Sequence, residues 1–138
     1  MSRIIGIDYG KKRVGIAVTD PLKMFASPLN TLHPDEFNDF IRVYMKSETI
    51  EAFVIGYPVT LNNKPSDSVK YIDPFLKKLK RDFPEIKIHL VDERFTSSMA
   101  HRIMIDGGLK KKERQNKGTV DKISASIILQ TFLDKKKD

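Results

Sequence analysis

Acidic residues stand at three places where a strand or helix ends: Asp8, the pair Asp92-Glu93, and Asp121. Asp8 closes the apolar run Ile4-Ile5-Gly6-Ile7 and precedes the turn Gly10-Lys11-Lys12-Arg13. A carboxylate among isoleucines needs a partner, because burying an unpaired charge is costly. A metal ion, a cation of the turn and the turn's backbone are the candidates, and an Asx-turn closing a hairpin is an equally good reading. Asp92 and Glu93 follow Leu90-Val91 and precede Arg94. Alone they fit a surface ion pair, or complement the dipole of a following helix. Strand alternation groups Asp92 with Ile86, Ile88 and Leu90, and Glu93 with Lys87, His89 and Val91, so only one of the two acids reaches a given metal. Asp121 reads as a first-turn residue of the last helix, where an acid complements the helix dipole. It also shares a face with Ser124, Ala125 and Ile128, and small neighbours indicate close docking on a sheet. Together the carboxylates make a hard oxygen-ligand set of the kind Mg2+ or Mn2+ prefers. Two such ions about 3.5–4 Å apart promote phosphodiester hydrolysis.

Cations adjoin each acid. Lys11, Lys12 and Arg13 follow Asp8, Arg94 follows Glu93, and Lys110, Lys111, Lys112, Arg114 and Lys117 precede Asp121. Positive charge flanking a carboxylate cleft is the pattern of a phosphate-backbone binder. A merely solvated lysine surface would distribute its charge without regard to the acids. Tyr9 and Tyr57, at strand ends, are the candidates to stack on a base. His33, His89 and His101 are scattered and read as structural or surface residues, and no helix carries a two-histidine zinc pattern.

The elements that must position these residues follow from periodicity. Ile4–Tyr9 reads as a buried strand. Val14–Thr19 alternates bulky Val14, Ile16 and Val18 with small Gly15, Ala17 and Thr19, a second strand whose small face lets a helix come close. Phe25–Leu32 is a weaker third strand that Pro28 demotes to an edge. Pro34-Asp35-Glu36 opens a helix with Phe37, Phe40, Ile41, Tyr44 and Met45 at helical spacing. Ala52–Gly56 is a short strand, followed by a polar loop over 60–65. Ser66 caps a helix whose stripe is Val69, Ile72, Leu76, Leu79 and Phe83, with Pro74 predicted to kink or delay it. Ile86–Val91 is the next strand. Thr96 or Ser97 caps a helix through Met99, Ala100, Ile103 and Met104 that stops at Gly107. After a basic loop from Lys110 to Gly118, Thr119 caps a last helix, Val120–Leu133, and Lys135-Lys136-Lys137 is a frayed tail. This order predicts a mixed sheet with helices on its faces and right-handed crossovers between parallel strands.

At 138 residues the chain suits one domain, 1–138. It has no cysteine, which excludes disulfides and thiolate metal sites. No apolar run approaches the ~20 residues of a membrane span, and the N-terminus does not read as a signal peptide, so a cytoplasmic location with no membrane contact is expected. A net charge of +7 favours a polyanionic partner.

Four segments in order, Gly6-Ile7-Asp8-Tyr9-Gly10-Lys11-Lys12-Arg13-Val14-Gly15, Ile55-Gly56-Tyr57-Pro58, Val91-Asp92-Glu93-Arg94-Phe95-Thr96 and Val120-Asp121-Lys122-Ile123-Ser124-Ala125, closely resemble the YqgF/RuvX family over nearly the whole chain. Tyr57 stands where the family often has leucine, and Ser124 or Ser126 where it usually has alanine. The resemblance implies an α/β ribonuclease H-like fold, a five-stranded mixed sheet flanked by helices on both faces. It also implies a metal-dependent endonuclease that processes the 5′ end of pre-16S ribosomal RNA, with Asp8, Glu93 and Asp121 as metal-binding carboxylates. Glu93 is preferred over Asp92 because the last strand is expected two places from the first, and the longer side chain spans that gap. Structured RNA or branched DNA, and ribosomal particles, are the expected partners, with the protein a monomer or weak homodimer. The rivals are a Holliday junction resolvase, a non-catalytic RNA-binding ribosome-assembly factor, and an actin-like nucleotide hydrolase, for which 138 residues leave no second lobe.

Overall fold

The computed structural model describes residues 2–57, 69–92 and 117–137. The chain opens with a meander of three strands, β1 (Ser2–Tyr9), β2 (Val14–Thr19) and β3 (Ala26–Leu32). A 3-10 turn, Pro34–Glu36, leads into α1 (Phe37–Tyr44), then β4 (Thr49–Tyr57), α2 (Val69–Asp82), β5 (Lys87–Asp92) and α3 (Lys117–Lys137). The sheet order is β3-β2-β1-β4-β5. The meander pairs antiparallel, whereas β1–β4 and β4–β5 pair parallel. β3, which carries Pro28, is an edge as expected, and β5 lies two places from β1. No helix among the described residues is long and apolar enough to cross a membrane.

Side-chain alternation divides the sheet into two unlike faces. Ile5, Ile7, Ile16, Phe53 and Ile55 join Phe37 and Ile41 of α1 and Phe75 and Leu79 of α2 in a bulky core. The opposite face presents Ile4, Ala17, Ala52, Val54 and Val91 to Ala125, Ile128, Leu129 and Leu133 of α3. Small residues on that face let the α3 backbone lie almost on the strands. A Cβ on Gly6 would stand 2.7 Å from Leu129 Cβ and 2.8 Å from the Ala125 carbonyl oxygen. The close approach expected from the small face of β2 is therefore present.

The last helix differs from its sequence reading at both ends. It is already helical at Lys117 and Gly118, the first described residues of this segment, so Thr119 lies inside it and does not cap it. Thr31 of β3 donates its hydroxyl to the Gly118 carbonyl and so anchors the early start. At the other end the lysine tail is helical through Lys137, with no fraying at Lys135. Lysines favour a helix C-terminus, where the dipole is negative, and Gln130 Nε2 bonds Asp134 Oδ1 at 3.0 Å along the preceding turn. The helix α2 continues through Pro74, whose ring is on the exposed side. β4 extends beyond the expected 52–56 at both ends. The 60–65 loop, the Ser66 cap, the helix expected over 99–107 and the basic loop over 110–116 lie outside the described residues.

Inside the α3 interface, the Ser124 hydroxyl is buried with no hydrogen-bond partner among the described residues. Leaving such a group unsatisfied costs about 1–3 kcal/mol. Ser124→Ala is expected to raise stability by about 1 kcal/mol, read as a higher urea midpoint at unchanged slope. An unchanged or lower midpoint would mean that the hydroxyl has a partner.

Candidate functional site

Asp8 is the penultimate residue of β1, on the same face as Ile4 and Gly6, which is the face covered by α3. Its cross-strand partner is Gly15 of β2. A Cβ on Gly15 would stand 2.1 Å from the Asp121 carbonyl oxygen and 2.9 Å from the Lys122 nitrogen. The backbone of α3 therefore rests on Gly15 at Asp121, beside Asp8. The turn between the strands closes when the Gly10 amide donates to the Arg13 carbonyl at 2.8 Å. Asp8, Gly10, Lys11, Lys12, Arg13 and Asp121 line one notch of about 270 Å3.

Within the notch, Arg13 Nε donates to Asp121 Oδ2 at 2.6 Å. With the two side chains 40% and 22% exposed, solvent screening limits the pair to under about 1 kcal/mol of stability. Its effect is orientational: it holds the Asp121 carboxylate at the notch and leaves the Arg13 Nη groups available as donors. Lys11 and Lys12 are exposed at the rim. The Lys11 ammonium also lies over the Tyr71 ring of α2, 5.2 Å from its centroid.

The sequence placed Asp121 in the first turn of its helix, but α3 starts at Lys117, so Asp121 is one turn further in. The helix dipole acts within the first turn and gives this acid little reason to be there. The notch does.

The other expected site residues divide sharply. Asp92 pairs with Tyr57 in register, on the face of Ile55 and Ile88, whereas Val91 turns to the face of Asp8. Asp92 is therefore on the wrong side of the sheet for the notch, as alternation indicated. Glu93, Arg94, Lys110, Lys111, Lys112 and Arg114 lie outside the described residues, and Lys117 is described only as the start of α3. Neither tyrosine lines the notch. Tyr9 stacks on Phe75 at 4.2 Å in the bulky core, and burial raises its pKa, helped by the Asp35 charge. Tyr57 lies on that same face and donates its hydroxyl to Asp73 at 3.1 Å. A strand-end position said nothing about which face each ring occupied; counting along β1 from Ile5 and Ile7 to Tyr9 would have. His33, exposed, accepts from the Asp35 amide at the 3-10 turn, and His89 packs on Phe132.

Two features were not read from the sequence. The Arg13–Asp121 pair joins residues 108 positions apart, and local pattern carries no trace of it. The placement of Lys11 over α2 depends on the packing of α2 beneath the turn. Gly15 was detectable as part of a small face, though not as the seat of Asp121.

Among the described residues no group of three or more potential metal ligands occurs. Two carboxylates, Asp8 and Asp121, do share the notch, and their hard oxygens fit a magnesium-like cation that keeps part of its water shell. The flanking cations suit the phosphate that such a cation would share.

A family model described as RuvX, Holliday junction resolvase, matches residues 2–135. A protein of Bacteroides thetaiotaomicron named as a candidate pre-16S rRNA nuclease is 53% identical over 99% of both chains. Relatives of the same name from Christiangramia forsetii, 52% identical over 96% of this chain and 98% of its own, and Flavobacterium psychrophilum, 50% identical over 99% of each, agree. In three dimensions the chain is similar to Thermus thermophilus RuvC in complex with a Holliday junction substrate, with a TM-score of 0.58 at 14% identity over 99% of this chain and 96% of that one. It is also similar to the large terminase nuclease of the thermophilic phage G20c, with a TM-score of 0.55 at 9% identity over 94% of this chain and 81% of that one. These similarities identify the sheet and its helices as the ribonuclease H-like fold.

Gly15→Ala tests how far the notch depends on the closeness of α3. The added methyl meets backbone, which cannot rotate away, so a loss of about 1–3 kcal/mol is expected, measured by chemical denaturation. A fully stable variant would show that α3 does not rest on Gly15.

Proposed function

The chain belongs to the RuvX family, and from that membership we propose that it is a metal-dependent endonuclease that processes the 5′ end of pre-16S ribosomal RNA. It acts in the cytoplasm as a single domain over residues 1–138, on free precursor or on ribosomal particles, as a monomer or weak homodimer. The observation that carries this reading is the convergence of Asp8 and Asp121 on one notch rimmed by Lys11, Lys12 and Arg13. The names of relatives about half identical to it over nearly their full length supply the substrate.

In this reading Asp8, Asp121 and Glu93 hold Mg2+ or Mn2+. When bound, such ions, singly or as a pair, supply a nucleophile at neutral pH and Lewis-acid stabilisation of the charge that develops on the phosphodiester. Residues of the chain do the rest. Lys11 and Lys12 bind the phosphate backbone across the notch and set its register. Arg13 keeps Asp121 oriented through Nε and offers its Nη groups to a non-bridging phosphate oxygen, a fork geometry that lysine lacks. Arg94 and the cations Lys110, Lys111, Lys112, Arg114 and Lys117 extend the backbone grip along the strand. Glu93 is assigned in place of Asp92 because Asp92 is on the far face of β5.

Resolution of four-way DNA junctions is the second reading, supported by the description of the family itself. It requires two symmetrically placed sites and hence a stable dimer.

The test is cleavage of pre-16S ribosomal RNA and of a four-way DNA junction, side by side, with Mg2+ or Mn2+. Asp8→Asn, Asp121→Asn and Glu93→Gln are each expected to lower RNA cleavage by at least about a hundredfold, since each removes an anionic ligand of the divalent ion. Asp92→Asn is expected to stay within a few fold of the unmodified protein. Full activity of Asp8→Asn would remove the proposed centre. Preferential junction cleavage by a dimer would favour the second reading. Intact ribosome assembly with the amide variants, but not with Lys11 and Lys12 replaced, would favour a non-catalytic assembly factor.

A further inference from the structure

Helix α2 presents a second cationic surface, on the side of the sheet away from α3. Its buried line is Ile72, Phe75 and Leu79, continued by Phe83 just past its end. Lys70, Lys77 and Arg81 fall opposite that line at spacings of seven and four residues, which puts them on one outward ridge. Lys78 and Lys80 flank it, and all five side chains are exposed. A solvated surface helix usually mixes its charges to form i, i+4 pairs. Here five cations face two acids: Asp73, three residues after Lys70 and four before Lys77, and Asp82 at the helix end. Asp73 accepts the Tyr57 hydroxyl at 3.1 Å. Asp82 accepts from Asn38 at 2.7 Å and from Arg81 Nε at 3.3 Å, and these bonds lower its pKa. The Arg81 side chain is 72% exposed, so that contact is screened and its Nη groups still face solvent.

The first described turn of α2 meets the notch through Lys11, which lines the notch and also covers the ring of Tyr71. From there the ridge runs about 15 Å to Arg81 at a helical rise of 1.5 Å per residue. The notch opens on the α3 side of the sheet and the ridge lies on the α2 side, with the Gly10–Arg13 turn between them at the end edge of the sheet, where β1, its middle strand, stops. A polyanion that touches both must pass over that edge and change direction.

We propose that the Lys70–Lys77–Arg81 ridge of α2 is a second phosphate-backbone site. It binds the segment of nucleic acid flanking the one in the notch, so that the protein selects substrates bent or branched at the cut. The proposal rests on the nuclease reading for what occupies the notch. Its charge complementarity and the meeting of α2 with the notch through Lys11 stand on the geometry alone.

The test is equilibrium binding by fluorescence anisotropy, without divalent ions and so without cleavage, at several salt concentrations. Two RNA probes are used: a hairpin of one helical turn, and the same hairpin joined at a bend to a second helical arm. In the triple variant Lys70→Gln, Lys77→Gln, Arg81→Gln, affinity for the two-armed probe is expected to fall about tenfold or more. The dependence of its log affinity on log salt should flatten by about two to three, while binding of the single hairpin stays unchanged. Lys11→Gln with Lys12→Gln is expected to weaken both probes. Glutamine is a good helix former and the three positions are exposed, so the fold is retained, and a thermal melt checks it. Equal affinity and slope for the two-armed probe, or equal losses for both probes, would overturn the proposal. Because no step depends on cleavage, failure of the nuclease reading shows in the activity assay alone.

Discussion

The close seating of α3 on β1 and β2 is the constraint on which the site depends. Two glycines permit it. At Gly6 a side chain would collide with Leu129 and the Ala125 carbonyl, and at Gly15 with the backbone of Asp121 itself. Because Gly15 pairs with Asp8 across the hairpin, the contact that seats the helix also delivers the second carboxylate to the first. The notch that Asp8 and Asp121 share is thus a by-product of backbone packing. Thr31 pins the helix start from the neighbouring strand, and Arg13 fixes the Asp121 side chain from the turn. Both acids are therefore held by elements whose own positions are set by the sheet.

The two faces of that sheet serve different ends. The α1–α2 side carries the large aromatic contacts: Tyr9 on Phe75, Phe37 against Phe53 and Phe75, and Phe53 against Phe83. Each such side chain buries far more apolar area than the alanines and glycines opposite, and stabilises accordingly. The α3 side gives up that area in exchange for proximity. An isoleucine at position 15 would add apolar burial and push Asp121 away from Asp8. The bulky face makes the exchange tolerable by supplying most of the core.

What was legible in the sequence follows from how local each cause is. Strand and helix periodicity marked β1 to β5 and the helical stripes, because every contributing residue lies within a few positions of the next. The face of Asp92 was legible for the same reason. Alternation from Ile88 and Leu90 put it away from the notch, and the structure agrees. The length of α3 was not legible, since its start is anchored by a strand 87 positions earlier and its lysine-rich end looked like a solvated tail. The face of Tyr9 follows from its register with Ile5 and Ile7, which its position at the end of a strand does not convey. The family resemblance named Asp8 and Asp121 as partners, and the reason they can be partners, a missing Cβ at Gly15, lay in a residue noted only for being small.

Charge placement follows a similar logic. The turn after β1 has to be short to keep the hairpin tight, and the Gly10 amide to Arg13 carbonyl bond closes it. Three consecutive cations therefore sit within reach of Asp8, and each has a different outlet: Arg13 across to α3, Lys11 over the edge to Tyr71 of α2, and Lys12 to solvent. Such a fan of cations creates a positive field that spans both layers of the fold at the edge where the parallel strands end. A flat or straight polyanion could meet only one side of it. The electrostatics of one four-residue turn thereby suit the proposed bent polyanion better than a straight one.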